Sequence, residues 1–234
     1  MLADSAALTA SNEASVGLTI FDCDGVLVDS EIIAHRLLAQ MMTDLGRPMT
    51  IAEAVQKFAG RSLADTLPRL EASLGRRIPD DLGQRYSNLL LEHLRRDLKP
   101  VAGVRAAVAA LRYPRCVASS SSLERIRLSL EVTGLASLFG ANIFSATQVA
   151  HGKPAPDLYL FAAKTMAVGP ELCVVIEDSA LGASAGRAAG MKVIGFTGSA
   201  HANGNSAQRL AAAGASRVIS SMVELPAAVE QLLS

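Results

Sequence analysis

Asp22 and Asp24 stand two residues apart in Phe21-Asp22-Cys23-Asp24-Gly25-Val26-Leu27-Val28-Asp29-Ser30, directly after an apolar run, Val16 to Phe21. An aspartate, with an unperturbed pKa of about 3.9, is ionised at neutral pH and needs no base to act as a nucleophile. Gly25 allows a tight backbone turn beneath whatever binds there. Two such anions repel one another and would repel a phosphate, so the pair calls for a divalent cation. Three later clusters supply matching parts. Ser119 and Ser120 close the run Val117-Ala118 and bring a hydroxyl and amides, although the four serines also read as a loop into a helix capped by Ser121 and Glu124. Lys153 precedes a proline-initiated helix in Gly152-Lys153-Pro154-Ala155-Pro156-Asp157. Glu177 and Asp178 end the run Val175-Ile176, an expensive place for acids unless they are paired or metal-bound. A hard oxygen-ligated ion, a fixed cation and aimed donors are what transfer of a charged group requires.

Those residues need a frame that brings them together. Six short runs rich in β-branched or apolar residues read as strands: Val16 to Phe21, Arg115 to Ala118, Asn142 to Phe144, Cys173 to Ile176, Lys192 to Phe196 and Arg217 to Ile219. Helical segments Val104 to Leu111, Leu123 to Leu130, Asp157 to Met166 and Ala180 to Ala189 alternate with them. The pattern predicts an α/β fold with a doubly wound, Rossmann-like parallel sheet. In such sheets ligands bind at the carboxyl ends of the strands, where all four clusters would then lie. The spacing of Gly182, Gly186 and Gly190 lets a helix approach the sheet closely.

The first strand breaks the alternation. Residues 31–99 contain no convincing strand but show helical spacing at Ile33, Leu37, Met41 and Leu45. A capping box at Thr50 and Glu53 starts a second helix, and Pro79 with Asp80 and Asp81 starts a long third one. The expected organisation is a polar tail over 1–15, a core formed by 16–30 and 100–234, and an all-helical cap over 31–99. Hinges are expected near Asp29-Ser30 and Lys99-Pro100. In the cap turn Phe58-Ala59-Gly60-Arg61-Ser62, the glycine permits close approach and Arg61 could meet a second anionic group.

Composition excludes several function classes. The chain has 234 residues, 22 basic and 22 acidic, with 4% aromatics and no Trp, which leaves no basic stripe for nucleic acid. No apolar run approaches the length of a membrane span, and the first fifteen residues lack the basic and apolar regions of a signal peptide. Cys23, Cys116 and Cys173 lie far apart in apolar settings, as reduced thiols of a cytoplasmic protein would. A monomer is compatible with all of this.

The four clusters, in this order, resemble the motifs of the haloacid dehalogenase-like hydrolase superfamily, in the branch with a helical cap after strand one. Within it the chain looks most like the β-phosphoglucomutase and sugar-phosphate phosphatase group. The resemblance implies a Mg²⁺-dependent phosphomonoesterase acting on a small phosphorylated metabolite, a sugar or sugar-acid phosphate. Asp22 would form an aspartyl-phosphate, and Asp24 would act as acid and then base. Mg²⁺ would be held by Asp22, the Asp24 carbonyl and Asp178, with Glu177 close or acting through water. Ser119 and Lys153, with Ser120 and the main-chain amides around Cys23 and Asp24, would bind phosphoryl oxygens. The dehalogenase branch lacks an acid-base aspartate at the position of Asp24, and the phosphonate-hydrolysing branch uses a cap lysine, for which only Lys57 and Lys99 are on offer. The mutase alternative carries a histidine where this chain has Ala34, one residue before His35, and a lysine where it has Ser122. A non-enzymatic, phosphate-responsive regulatory module is the remaining alternative; receivers of that kind lack a cap and place their phosphorylated aspartate elsewhere.

Overall fold

The computed structural model describes residues 17–202 and 204–234, so the polar tail expected over 1–15 lies outside the described residues. Six parallel strands form one sheet: β1 (Leu18–Phe21), β2 (Arg115–Ser119), β3 (Ile143–Ser145), β4 (Cys173–Glu177), β5 (Lys192–Phe196) and β6 (Arg217–Ile219). Their spatial order is β3-β2-β1-β4-β5-β6, so the winding direction reverses beside β1. Side chains alternate across the sheet as the strand repeat of two demands. Phe21, Val117, Val174, Ile176 and Ile194 enter one core, and Leu18, Ile20, Cys116, Val175 and Val193 the other. Helices α5 (Val104–Ala109), α6 (Leu123–Val132) and α10 (Leu225–Leu233) cover the first core. The second lies under α7 (Asp157–Thr165), α8 (Ala180–Ala188) and α9 (Ser206–Ala212). The architecture is the doubly wound α/β layer read from the sequence. In α8, a Cβ at Gly186 would come within 2.8 Å of Val193, so glycine there sets the helix–sheet distance.

Between β1 and β2 the chain forms an inserted helical cap with its own core of Leu38, Met42, Phe58, Leu70, Leu90 and Leu94. It contains four helices where the sequence pattern had shown three: α1 (Glu31–Asp44), α2 (Ile51–Phe58), α3 (Leu63–Leu74) and α4 (Leu82–Asp97). Ser62 caps α3 by accepting from the Asp65 amide, and α3 accommodates Pro68 in its second turn. The Thr50–Glu53 capping box at the start of α2 is present in both directions. Asp29 N–H donates to the Lys99 carbonyl (3.0 Å), and Val28 bridges Pro100, so the outgoing and returning strands of chain lie side by side. All three cysteines are free and buried; burial pushes the Cys173 thiol up to about 12 and raises the other two, which makes them unreactive.

Candidate active site

The carboxyl ends of β1, β2 and β4 and the loop after β3 converge at one edge of the sheet, next to the point where the winding reverses. Asp22 follows β1 and donates its amide to the Ile176 carbonyl (3.0 Å), which fixes the backbone beneath its carboxylate. Gly25 has φ +82°, and a Cβ there would collide with the Asp178 carboxylate. The turn therefore requires glycine twice over, for its backbone and for the approach of Asp178.

Lys153 is buried, not the solvated surface lysine that an isolated Lys would usually be. Its ammonium donates to Asp22 Oδ1 (2.8 Å), Glu177 Oε1 (2.6 Å) and the Ala118 carbonyl (3.2 Å). Three donors thus meet three acceptors. The Tyr159 hydroxyl also donates to Glu177 Oε1 (2.8 Å), and the Ser179 amide and hydroxyl donate to Oε2 (3.0 and 2.9 Å). Glu177 is therefore saturated by protein donors and acts as a fixed strut for Lys153. Asp178 faces His201 Nε2 at 3.0 Å.

Asp22 and Asp24 occupy opposite electrostatic settings. Burial raises the Asp22 carboxyl well above the ordinary range; Lys153 opposes this, and Glu177, Asp178 and Asp24 add to it. Burial likewise lifts Asp178 to about 6 despite His201. Burial would lift Asp24 too, but the Arg125 guanidinium, with hydrogen bonds from Ser121 and Ser30, outweighs it and holds the carboxyl below its usual value. Arg125 Nη2 and Ser121 Oγ each donate to Asp24 at 2.6 Å, Ser30 Oγ makes a further short bond, and Ser119 Oγ lies at 3.4 Å.

Ligand atoms of Asp22, Glu177 and Asp178 lie within 4.8 Å of one another. Two buried carboxylates, Asp22 and Glu177, and the partly buried Asp178, with Asp22 and Asp178 raised in pKa, face Lys153 as their cation and the His201 imidazole. That excess of negative charge on hard oxygen donors fits a divalent ion such as Mg²⁺. Asp22 and Asp178 keep carboxylate oxygens free of protein donors, and Glu177, engaged by Lys153, Tyr159 and Ser179, lies within the same cluster.

The remaining sequence-marked residues are accounted for individually. Ser119, Ser120 and Lys153 line a cavity of ≈ 30 Å³ together with Asp22 and Asp24. Ser120 Oγ donates to the Gly60 carbonyl (3.4 Å), a cap–core contact. The Cys23 side chain is in the core, which leaves its main-chain amide as the group available to a ligand. Arg61 lines the same cavity, with its Nε on the Lys57 carbonyl at 3.3 Å. One sequence reading is corrected: Ser122, not Ser121, caps α6 by accepting from the Arg125 amide (3.3 Å), because the Ser121 hydroxyl is committed to Asp24. The sequence pattern did not mark Arg125, Tyr159 or His201, and marked Ser30 only as part of a hinge. For Arg125 a signal existed: a cation in the first turn of a helix opposes the dipole and needs a compensating anion.

Residues 19–196 match the haloacid dehalogenase-like hydrolase family. The chain belongs to that family. Among curated proteins it is 30% identical to an Escherichia coli protein named 6-phosphogluconate phosphatase, across 77% of this chain and 82% of that one. Among solved structures it resembles a haloacid dehalogenase-like protein of unknown function from Agrobacterium tumefaciens, at 40% identity and TM-score 0.81, covering 94% of this chain and 100% of the other. A family hydrolase from Deinococcus radiodurans, solved with bound phosphate and sodium, is 34% identical at TM-score 0.73, covering 94% and 97%. The protein is thus a phosphatase-type hydrolase of this family, with an Asp–Glu cluster suited to a divalent ion. Among the described residues no helix is long and apolar enough to cross a membrane.

Proposed function

We propose that the protein hydrolyses the phosphomonoester of a small hydroxylated metabolite, a sugar or sugar-acid phosphate, through an aspartyl-phosphate on Asp22. An Asp22 carboxylate oxygen attacks phosphorus while the ester P–O bond breaks, and Asp24 supplies a proton to the departing alkoxide. Asp24 then takes a proton from water, whose oxygen attacks the phospho-aspartate, releasing inorganic phosphate and restoring Asp22. Lys153 orients Asp22 and, with the Ser119 hydroxyl and the Cys23 and Asp24 amides, meets the phosphoryl oxygens. Asp22, the Asp24 carbonyl and Asp178 would hold Mg²⁺, which would supply neutralisation of the negative charge gathered at the site. Glu177 contributes by fixing Lys153.

The observation that carries the reading is that two carboxylates two residues apart are held by different cations, Asp22 by Lys153 and Asp24 by Arg125. They are thereby free to do different work, one as nucleophile and the other as proton carrier. An ionised Asp24 suits the second half-reaction directly; to donate in the first half it must pick up a proton and loosen from Arg125. The sugar-acid assignment draws support from the name of the E. coli relative. The test is phosphate release from p-nitrophenyl phosphate with Mg²⁺ and with EDTA, followed by a screen of phosphorylated sugars, sugar acids and polyols. Release that survives EDTA, or none with Mg²⁺, would contradict the proposal.

A further inference from the structure

A second cavity, of ≈ 50 Å³, adjoins the phosphoryl cavity on its cap side, and Glu31, Arg61 and Arg125 line both. By the guide of roughly 10–15 Å³ of such volume per water, it has room for a few non-hydrogen atoms. Cap residues His35, Thr66 and Tyr86 complete its polar wall. Five buried side-chain polar atoms of the described residues lack a hydrogen-bond partner, and two of them belong here: Arg125 Nε, a donor, and Glu31 Oε2, an acceptor. His35 Nδ1 lies 3.0 Å from Glu31 Oε2, but it is also 2.7 Å from the Glu31 carbonyl, its hydrogen-bond partner. Arg125 spends Nη2 on Asp24. Arg125 Nε is thus a buried donor without a partner on the wall of this cavity, and Glu31 Oε2, with only the shared His35 Nδ1 in reach, keeps acceptor capacity on the same wall; a buried polar group left unmet costs roughly 1–3 kcal/mol. A hydroxyl is the group that satisfies both, because it accepts from one and donates to the other.

We propose that Arg125 and Glu31 read a hydroxyl of the leaving group on the carbon next to the ester carbon, making them specificity-determining residues. The inference rests on the phosphatase reading above and deepens it to a vicinal hydroxy-phosphate as the substrate class. Both atoms are closed off from solvent with the cap in this position, so the hydroxyl reaches them when the cap parts from the core and closes again. Arg125 spans the two cavities, with Nη2 on the proton carrier and Nε toward the leaving group's neighbour. A correctly placed hydroxyl thus fixes Arg125 and, through it, Asp24. The discrimination therefore falls on kcat/KM rather than on KM alone.

The experiment compares glycerol 1-phosphate with 3-hydroxypropyl phosphate, which lacks only the vicinal hydroxyl, using p-nitrophenyl phosphate as a reference. The native enzyme should favour glycerol 1-phosphate by at least about tenfold in kcat/KM. Glu31→Met removes the acceptor at similar length and should shrink that ratio to about threefold or less, with Glu31→Gln intermediate. Arg125→Lys keeps a cation for Asp24 but removes Nε, and should shrink the ratio as well. Melting curves establish folding first, and Glu31→Gln stands in for Glu31→Met should the latter not fold. A native ratio near one, or a ratio that survives in the variants, overturns the assignment. Absence of phosphate from all three substrates would instead sink the phosphatase reading, and the assignment with it.

Discussion

Asp22 lies between Lys153 and two further carboxylates, and its raised pKa means that the folded protein disfavours its charge. A carboxyl raised on folding contributes most stability when protonated, and that contribution is lost as pH rises through the folded value. Asp22→Asn removes the disfavoured charge at constant shape. It should abolish turnover while leaving the melting temperature unchanged or higher; near-normal phosphate release would refute the covalent route. Asp24 is the opposite case, since its lowered pKa makes the ionised form a stabilising partner of Arg125. Asp24→Asn should slow turnover by roughly 10²–10⁴-fold, the range for a general acid-base group, and lower the melting temperature, because Arg125 is left buried without its anion. Asp178, lifted to about 6, and Asp22, raised as well, together set the pH window of metal binding. Ion binding needs the carboxylates, so below about pH 6 the apparent Mg²⁺ affinity should fall by at least about tenfold per unit for each proton displaced. A Mg²⁺-induced rise in melting temperature that is equal at pH 8 and pH 5 would exclude Asp178 as a ligand.

Two short elements join the cap to this chemistry, and they differ in how far the sequence revealed them. The turn after α2 was legible: Gly60 has φ +75°, and a Cβ there would stand 2.8 Å from the Ser179 side chain, which itself supports Glu177. Gly60→Ala combines left-handed strain of about 1–2 kcal/mol with a contact that pushes the cap outward. It should raise KM for a sugar phosphate more than for p-nitrophenyl phosphate, with an enlarged scattering radius in the presence of a phosphate analogue; equal KM changes and an unaltered radius would count against a role in closure. The start of α6 was only half legible. Its serines identified a helix entrance, but four adjacent hydroxyls cannot show which one caps, and Ser121 turned out to serve Asp24. Arg125 meets Asp24 across 101 positions, a separation that no local spacing encodes. Strand β5 fell at its expected limits because its buried apolar run, Val193 to Phe196, carries its own signal, and the short, half-buried edge strand β6 fell at its expected limits as well. Helix α3 was given no bounds of its own, and it carries Pro68 in its second turn, a residue ill suited to a helix interior.

For the molecule as a whole, the cap decides what reaches the phospho-aspartate after the first alcohol leaves. The phosphoryl cavity of ≈ 30 Å³ admits no sugar with the cap closed, so a sugar acceptor must enter on opening and be recognised before water attacks. In the mutases that this chain resembles, a histidine in the first cap helix takes part in that recognition. Its counterpart Ala34 is buried and offers its carbonyl to the Tyr86 hydroxyl (3.3 Å), so no side-chain donor stands there. His35 cannot substitute, because one step along a helix turns a side chain by about 100°, and its Nδ1 is engaged with the Glu31 carbonyl. Ser122, at the position of the mutase lysine, is occupied in capping α6. Nothing in these positions delays water relative to a second sugar. Supplied with β-glucose 1-phosphate, a bisphosphate primer and Mg²⁺, the protein should therefore release inorganic phosphate faster than it forms glucose 6-phosphate. The reverse order of rates, followed by simultaneous assay of both products, would make it a phosphoryl-transfer enzyme and would require another group of the cap to shield the phospho-aspartate.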